Sequence, residues 1–331
     1  MHIAQVTNWS EGPRYTTVPD LPPPTFDQLQ LRVLAAGLHQ VVRSRASGMH
    51  YSARELPHNV GVDCVGLHEP TGRLYYAFSL EAGLGTFADF VNVARESAYA
   101  LPEGANGDNI DPARFAASLN PAMSSWMALT QRTGAPLDAG PGKTGLPPKF
   151  TALVLGATSA SGRLAARAAR ELGAARVVGV ARDAAALERL TLAGLLDEHV
   201  VLRDPVASTD YSSVAAAGPD VILDYVYGEA AVHLLSSLRT RKPVQYVAIG
   251  GLSGQREVVV PSALLRSGDI TIRGAAPGAW RLSALERELP ALVAKVATWE
   301  LAEAQPVPLK DIAEVWNDKE VARKGRIVFV P

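Results

Sequence analysis

Residues 153–165 read LVLGATSASGRLA, and this stretch decides the fold of the chain. Three apolar residues lead into a turn, and an Ala-rich helical pattern follows, so the order is strand, turn, helix. Gly156 and Gly162 stand six positions apart across the turn. A diphosphate that approaches backbone N–H groups at a helix N-terminus needs small residues at these points. The stretch therefore predicts a phosphate-binding turn.

Ser159 stands where the middle glycine of such a turn is more common. A Gly-x-x-Ser-x-x-Gly string also occurs in ordinary turns, so the string alone does not specify a nucleotide. The flanks do, because a second strand ends about twenty residues later, as in dinucleotide-binding units. We expect the pyrophosphate of a dinucleotide to contact Gly156, Thr158, Ser159, Ala160, Ser161 and Gly162.

Strands and helices continue to alternate after this turn. Alternating β and α segments call for a parallel sheet with helices on both faces. We therefore predict an α/β fold in which a doubly wound Rossmann domain spans 119–278. The predicted strands are 152–155, 176–181, 199–202, 221–224, 244–249 and 270–273, and the predicted helices are 164–172, 184–193 and 229–238.

The remainder of the chain has a different pattern. Residues 1–118 form short extended segments punctuated by Pro and Gly, which indicates a β-rich domain. A helix is expected after Asn120-Pro121, and a Gly- and Pro-containing join at 134–148. We assign 279–331 to the first domain, because its closing strand, 325–330, has no place in the Rossmann order. With 331 residues the chain is long enough for two domains and a small-molecule cleft.

Composition excludes several classes of function. The chain has 32 basic and 33 acidic residues and no run of like charges, so we expect no nucleic-acid or membrane-surface partner. No apolar run approaches the roughly 20 residues that cross a bilayer. Cys64 is the only cysteine, which excludes an intramolecular disulfide and a cysteine-based zinc cage. With no signal-peptide pattern at the N-terminus, we expect a cytoplasmic protein that binds a small molecule.

The end of the second Rossmann strand bears on the choice of nucleotide. Ala181 occupies the place where an NAD enzyme usually keeps an acid for the ribose hydroxyls, and Arg182 follows it. A guanidinium there can bind a 2′-phosphate through bidentate hydrogen bonds, so NADPH is the expected cofactor. In the alternative, Arg182 is a solvated surface residue and Asp183 binds the ribose.

Two later strand ends are expected at the same edge of the sheet. Tyr225 and Tyr227 follow the strand that ends at Asp224, where they would line the nucleotide or else be core aromatics. Gly250 and Gly251 follow the next strand, and their lack of a side chain suits close passage of the nicotinamide.

In these features the chain resembles the medium-chain dehydrogenase/reductase superfamily, and within it the zinc-independent quinone oxidoreductases and enoyl reductases. The resemblance implies a GroES-like catalytic domain over 1–118 and 279–331, NADPH as cofactor, a homodimer, and hydride transfer to a quinone, enone or other activated alkene. Its landmarks run nearly end to end: AAGLH at 35–39, GVD at 61–63, GTFADF at 85–90, NP at 120–121, the phosphate turn, DVILD at 220–224 and KGRIV at 324–328.

The zinc-using branch of that superfamily would require a Cys ligand soon after the Ala-Gly pair and Gly-His-Glu at 61–63. His39 lies near the first of these positions and Val62 occupies the second. An isolated imidazole with a valine at the next ligand position cannot build a tetrahedral zinc site. We therefore expect no metal.

Three residues are candidates for the chemistry. Tyr51 lies about where the resembling enoyl reductases carry an active-site Tyr, and would donate to the developing enolate oxygen; a packed Tyr is the alternative. His39 would orient substrate or bond the nicotinamide ribose, or be a satisfied structural histidine. Asn120 would contact the nicotinamide side, or cap the helix that follows it.

Two other functions remain open at this point. The chain could bind NADPH with little turnover and serve as a sensor or scaffold, because a fold retains nucleotide affinity after losing a donor. It could also be a dedicated biosynthetic enoyl reductase.

Overall fold

A computed structural model describes residues 1–50, 52–81, 83–103, 110–135, 139–318, 320–321 and 325–331. The chain divides into two compact units, one of Met1–Asn120 with Leu289–Pro331 and the other of Pro121–Glu288. Residues 279–288, which the sequence assigned to the first domain, group with the second unit.

Both units contain strands and helices, and two helices cross the boundaries between the units. The first unit contains β1 (His2–Val6), β2 (Arg14–Thr17), β3 (Gln28–Gly37), α1 (Gln40–Ala46), β4 (His58–Asn59), β5 (Asp63–His68), β6 (Arg73–Phe78), β7 (Phe90–Ala94) and β8 (Ala98–Ala100). Helix α2 (Pro112–Gln131) leads into β9 (Thr151–Leu155), α3 (Ala160–Glu171), β10 (Arg176–Ala181), α4 (Ala184–Leu192), β11 (Glu198–Val201), α5 (Ser212–Ala215), β12 (Val221–Asp224), α6 (Glu229–Ser237), β13 (Val244–Ala248), α7 (Ser262–Ser267) and β14 (Ile270–Gly274). Helix α8 (Leu282–Val296) leads back to β15 (Ala304–Pro308), α9 (Ile312–Val315) and β16 (Arg326–Val330) of the first unit.

The second unit is built on one parallel sheet. Its six strands follow the order β11-β10-β9-β12-β13-β14, so the sheet is wound in both directions from β9. Four of the five residues of β9 are fully buried, as expected of a strand with helices on both faces. The Rossmann fold predicted from the sequence is confirmed.

The first unit is β-rich, as predicted. One sheet has the order β15-β16-β3-β5-β6-β8, with β7 also paired to β3, and a smaller sheet has the order β2-β1-β4. The closing strand β16 pairs antiparallel with β3, through Val328 opposite Gly37. The end of the chain therefore returns to the first unit.

Helix α2 begins earlier than the sequence predicted. It starts at Pro112, where the Asp111 Oδ1 atom accepts hydrogen bonds from the N–H groups of Ala113, at 2.9 Å, and Arg114, at 3.1 Å. Pro121 therefore lies inside the helix and Asn120 cannot be its N-cap. An interior proline removes one hydrogen bond, but this helix is buried along most of its length, and packing can offset that loss.

The described residues of the join between α2 and β9 form hydrogen bonds with other residues of the second unit. The Gly142 N–H group donates to Glu288 Oε2 at 2.9 Å, and Gly145 N–H donates to Thr133 Oγ1 at 3.1 Å. Glu288 is 1% exposed, and it also accepts from Trp126 Nε1 at 2.8 Å. A buried carboxylate with several donors fixes this segment more firmly than its Gly and Pro content suggested.

None of the helices, over the described residues, is both long enough and apolar enough to cross a membrane.

Candidate functional site

The turn after β9 requires a glycine at its first position. Gly156 has a φ of 95°, a conformation that L side chains rarely adopt. A Cβ atom there would also lie 3.2 Å from Val226 Cγ2 and 3.3 Å from Tyr225 Cβ. Both the backbone conformation and the packing of the turn after β12 therefore disfavour a side chain at this point.

Gly162 lies where helix α3 packs against the turn. A Cβ atom at this position would overlap the Gly156 carbonyl oxygen and lie 2.8 Å from the Ala157 Cα atom. Both obstacles are backbone atoms, which cannot rotate away as a side chain can. Only glycine lets the first turn of the helix come this close to the end of β9.

Ser159 has a defined task at the position where the middle glycine is more common. It is the N-cap of α3: its Oγ accepts from the Gly162 N–H group at 3.0 Å and donates to the Gly156 carbonyl at 2.8 Å. The departure from the usual pattern therefore stabilises the start of the helix.

The start of α3 is a suitable place for a diphosphate. Ala160 is exposed at the first position of the helix, and Thr158 and Ser161 are half-buried beside it. The N-terminus of a helix carries partial positive charge and backbone N–H groups that point outward. The turn can therefore bind an anion through its main chain.

The end of β10 presents Arg182 to solvent. Its neighbour Asp183 is the N-cap of α4, and the Asp183 Oδ1 atom accepts from the Ala186 N–H group at 2.9 Å. One oxygen of Asp183 is thus engaged in the cap of α4, whereas Arg182 is exposed beside it.

A buried carboxylate, which the sequence reasoning did not single out, shapes the end of β12. Asp224 is fully buried, and its Oδ1 accepts from the N–H groups of Val226, at 2.7 Å, and Tyr227, at 2.9 Å, while Oδ2 accepts from the Tyr246 hydroxyl. Burial raises the pKa of Asp224, although these hydrogen bonds oppose the shift. In the sequence, a carboxylate at the end of the otherwise apolar strand 221–224 could have indicated this buried group.

The two tyrosines after Asp224 differ in environment. Tyr225 is 5% exposed, and its hydroxyl lies 3.2 Å from Ser124 Oγ. Burial raises the pKa of Tyr225 to about 12. Its side chain thus fits the core alternative, whereas Tyr227 is half-buried at the turn with a φ of 61°.

The segment after β13 continues alongside the turn after β12. The N–H groups of Gly250 and Leu252 donate to the carbonyls of Asp224 and Tyr225, both at 3.0 Å. A Cβ atom at Gly250 would lie 2.9 Å from the Tyr225 carbonyl oxygen, while Gly251 has open space around it. Protein packing therefore accounts for the glycine at 250 and not for the one at 251.

In the first unit, His39 belongs to a buried polar network. The ring is 3% exposed, its Nε2 lies 3.3 Å from Asp63 Oδ2, and Arg326 Nη1 lies 2.9 Å from its Nδ1. The Tyr76 hydroxyl donates to the same Asp63 oxygen at 3.0 Å. Gly37 leaves space for the imidazole, because a Cβ atom there would overlap the ring.

The partners of His39 determine its tautomer. A guanidinium only donates hydrogen bonds, so Nδ1 is the acceptor and the proton is on Nε2, from which it is donated to Asp63. Burial lowers the pKa of Arg326 to about 10. Both ring nitrogens are engaged, and this arrangement favours the structural alternative for His39.

Two other candidates stand apart from this network. Asn120 lies within α2, and its Nδ2 atom is buried without a hydrogen-bond partner in the described part of the chain. A buried unpaired amide donor costs free energy, and a ligand would relieve that cost. Tyr51 lies outside the described residues.

The described residues contain no group of three or more His, Cys, Asp or Glu side chains placed to hold a metal ion.

Comparison with known proteins identifies the family. No protein-family model matches the chain. The chain is 36% identical over 376 aligned residues, covering 100% of both proteins, to a protein of Emericella nidulans named probable NADPH-dependent quinone reductase tdiC. The chain belongs to the quinone oxidoreductases of the medium-chain dehydrogenase/reductase superfamily.

Solved quinone oxidoreductases have the same fold. The Thermus thermophilus enzyme, solved also as a complex with NADPH, is 20% identical with a TM-score of 0.74, and 100% of each chain is covered. The Escherichia coli quinone oxidoreductase, in complex with NADPH, is 19% identical with a TM-score of 0.73 at the same coverage. The resemblance to quinone oxidoreductases, stated from the landmarks of the sequence, is confirmed.

The buried environment of Asp224 in this quinone oxidoreductase can be tested through the pH dependence of protein stability. Burial raises its pKa above the ordinary value of 3.8, so the folded state binds its proton more tightly than the unfolded chain does. Its titration therefore stabilises the fold below the unfolded pKa, and this contribution is lost as pH rises through the folded pKa. We expect the stability of the protein, relative to an Asp224→Asn variant, to fall as pH rises from about 4 upward through the raised folded pKa.

Urea unfolding midpoints of the two proteins across this range provide the measurement. Asp210→Asn is the control, because hydrogen bonds from Ser212 lower the pKa of Asp210 and give its contribution the opposite pH dependence. A constant difference between the protein and the Asp224→Asn variant would show that Asp224 does not titrate in a buried environment.

Proposed function

We propose that this chain is an NADPH-dependent, metal-free reductase that transfers hydride to a quinone, an enone or another activated alkene. The observation that carries the proposal is the turn from Gly156 to Gly162, whose glycines bring the N-terminus of α3 against the carboxyl end of β9. The quinone-reductase relative in Emericella nidulans, identical at 36% of aligned positions, supports the substrate class and the cofactor.

In this proposal, different residues of the chain bind the cofactor and donate hydrogen bonds to the reacting groups. NADPH supplies the hydride when it is bound. The main chain at the start of α3 binds the diphosphate, and Arg182 binds the 2′-phosphate. Asn120, with its buried and unpaired Nδ2, donates to the nicotinamide carboxamide. Tyr51 donates to the oxygen on which negative charge develops.

The residues at the zinc-ligand positions of the related enzymes are unsuited to a metal here. Val62 and His39 replace side chains of the zinc-binding pattern, and both nitrogens of His39 are engaged by Asp63 and Arg326. Stabilisation of the developing anion must therefore come from hydrogen-bond donors.

A second candidate function is an NADPH-binding protein with little turnover. The specific observation in its favour is again His39, because a ring nitrogen bound to Asp63 and another bound to Arg326 leave this residue unable to act on a substrate without breaking the network. Dedicated enoyl reduction is a narrower form of the first proposal, and a substrate panel separates the two.

The first test measures NADPH oxidation by the protein and NADPH binding by a Gly162→Val variant. We expect the protein to oxidise NADPH with a panel of quinones and enones, and the valine variant to lose NADPH binding, because its side chain would meet the backbone of Gly156 and Ala157. Gly140→Val is the control, since no atom lies within 4 Å of a Cβ there and its backbone, like that of Gly162, is not in the left-handed region. NADPH binding without oxidation across the panel would instead support the sensor or scaffold.

The second test concerns the proton donor. We expect Tyr51→Phe to lower kcat/KM by roughly 10²-fold with little change in NADPH affinity, because only the hydroxyl is removed. Tyr15→Phe, at a partly exposed position of β2, is the matched control. Steady-state rates equal to those of the unsubstituted protein would remove Tyr51 from the mechanism.

A homodimer is part of the proposal. Strand β14 lies at one edge of the Rossmann sheet. Two apolar side chains are exposed there: Ile272 of β14, at 46%, and Leu265 of the preceding helix α7, at 50%. An exposed edge strand with apolar side chains is suited to pairing across a two-fold axis. Light scattering should give twice the chain mass of 35.1 kDa, and Ile272→Lys should shift the protein toward the monomer. A monomeric parent protein would contradict this assignment.

We also propose a cytoplasmic location, which the single buried thiol of Cys64 supports.

A further inference from the structure

Two arginines, Arg182 and Arg203, lie at the carboxyl ends of neighbouring strands of the Rossmann sheet. Strands β10 and β11 are parallel neighbours in which Ala181 pairs with Val201, and the Leu202 N–H group extends this ladder by donating to the Ala181 carbonyl at 2.8 Å. Arg182 comes directly after the first strand, and Arg203 comes directly after Leu202. Both side chains are exposed at the carboxyl edge, where open α/β sheets bind their ligands.

The charges at the two edges of this strand pair differ. At the amino edge, Arg176 pairs with Glu198, and Arg170 pairs with Asp197. At the carboxyl edge, no carboxylate of the described residues lies within 4.0 Å of the guanidinium of Arg182 or Arg203. The guanidiniums of Arg182 and Arg203 therefore form no ion pair with a described carboxylate, although Asp183 and Asp204 follow them directly in the chain; Asp183 instead caps α4.

The backbone of Arg203 is held in place on both sides. Leu202, which precedes it, is 8% exposed and packs in the core of the unit. The Arg203 N–H group donates to Thr209 Oγ1 at 2.9 Å, and the Thr209 carbonyl lies 3.1 Å from His233 Nε2 of α6. Arg203 thus projects from a fixed point of the sheet edge.

We propose that Arg203 is a second specificity-determining residue, which binds the 2′-phosphate of NADPH together with Arg182. This inference rests on the proposed function. Neighbouring strands lie about 4.8 Å apart, a separation that two arginine side chains can bridge around one phosphate. Two guanidiniums match the charge of a phosphate monoester and supply more donors than one, so they discriminate against NADH more strongly than Arg182 does by itself.

The test compares nucleotides with and without the 2′-phosphate. Dissociation constants of NADPH, NADH, 2′,5′-ADP and 5′-AMP are measured by calorimetry for the full chain and for Arg203→Gln, Arg182→Gln and the double variant. Arg176→Gln is the matched control, because it removes a guanidinium from the opposite edge of the same strand pair. We expect Arg203→Gln to weaken NADPH and 2′,5′-ADP by about tenfold and to change NADH and 5′-AMP by less than about twofold.

Further outcomes separate this inference from the function on which it rests. The salt dependence of NADPH binding should be smaller in Arg203→Gln, because one screened charge contact is lost. Unchanged affinity for 2′,5′-ADP in Arg203→Gln, or equal weakening of NADPH and NADH, would overturn the role of Arg203 while leaving the reductase intact. A parent protein that binds neither NADPH nor 2′,5′-ADP would overturn the proposed function and this inference with it.

Discussion

The second unit depends on one steric constraint, the contact between the backbone of Gly162 and the backbone of Gly156 and Ala157. Because nothing larger than hydrogen fits there, the first turn of α3 lies directly against the end of β9. That contact places the positive end of the helix at the carboxyl edge of the central strand, with Ser159 as the cap. Backbone geometry alone therefore makes this turn suited to a diphosphate, without a charged side chain.

The same edge is organised by polar groups that are satisfied inside the protein. Asp224 holds the turn after β12 through two backbone N–H groups and the Tyr246 hydroxyl, and the chain after β13 adds hydrogen bonds to that turn. Fixing these segments before a ligand binds lowers the entropy that binding must overcome. The retained carboxylate costs desolvation, which is visible in the raised pKa of Asp224.

The first unit also contains a buried hydrogen-bond network, formed by Arg326, His39, Asp63 and Tyr76. Asp63 is fully buried, yet its Oδ1 atom lacks a hydrogen-bond partner among the described residues. A network of this kind fixes the relative positions of β16, β5 and the start of α1, because each member loses a partner if one strand moves. It also confines His39 to one tautomer, which favours another residue as the proton donor.

The sequence by itself determined the six strands and three of the helices of the Rossmann unit and the glycines of the turn after β9, because apolar periodicity and the steric demand for glycine act over a few neighbouring residues. It missed the short helices α5 and α7, and it indicated the family through the resemblance of its landmarks. It misplaced the start of α2, since Asn-Pro is a local signal of a boundary and the burial of the helix is not local. Only the tertiary structure decided the partners of buried polar groups. Arg326 and His39 are 287 residues apart, and Arg203 lies beside Arg182 only because β11 pairs with β10. Such contacts depend on how distant segments pack, and no local pattern encodes them.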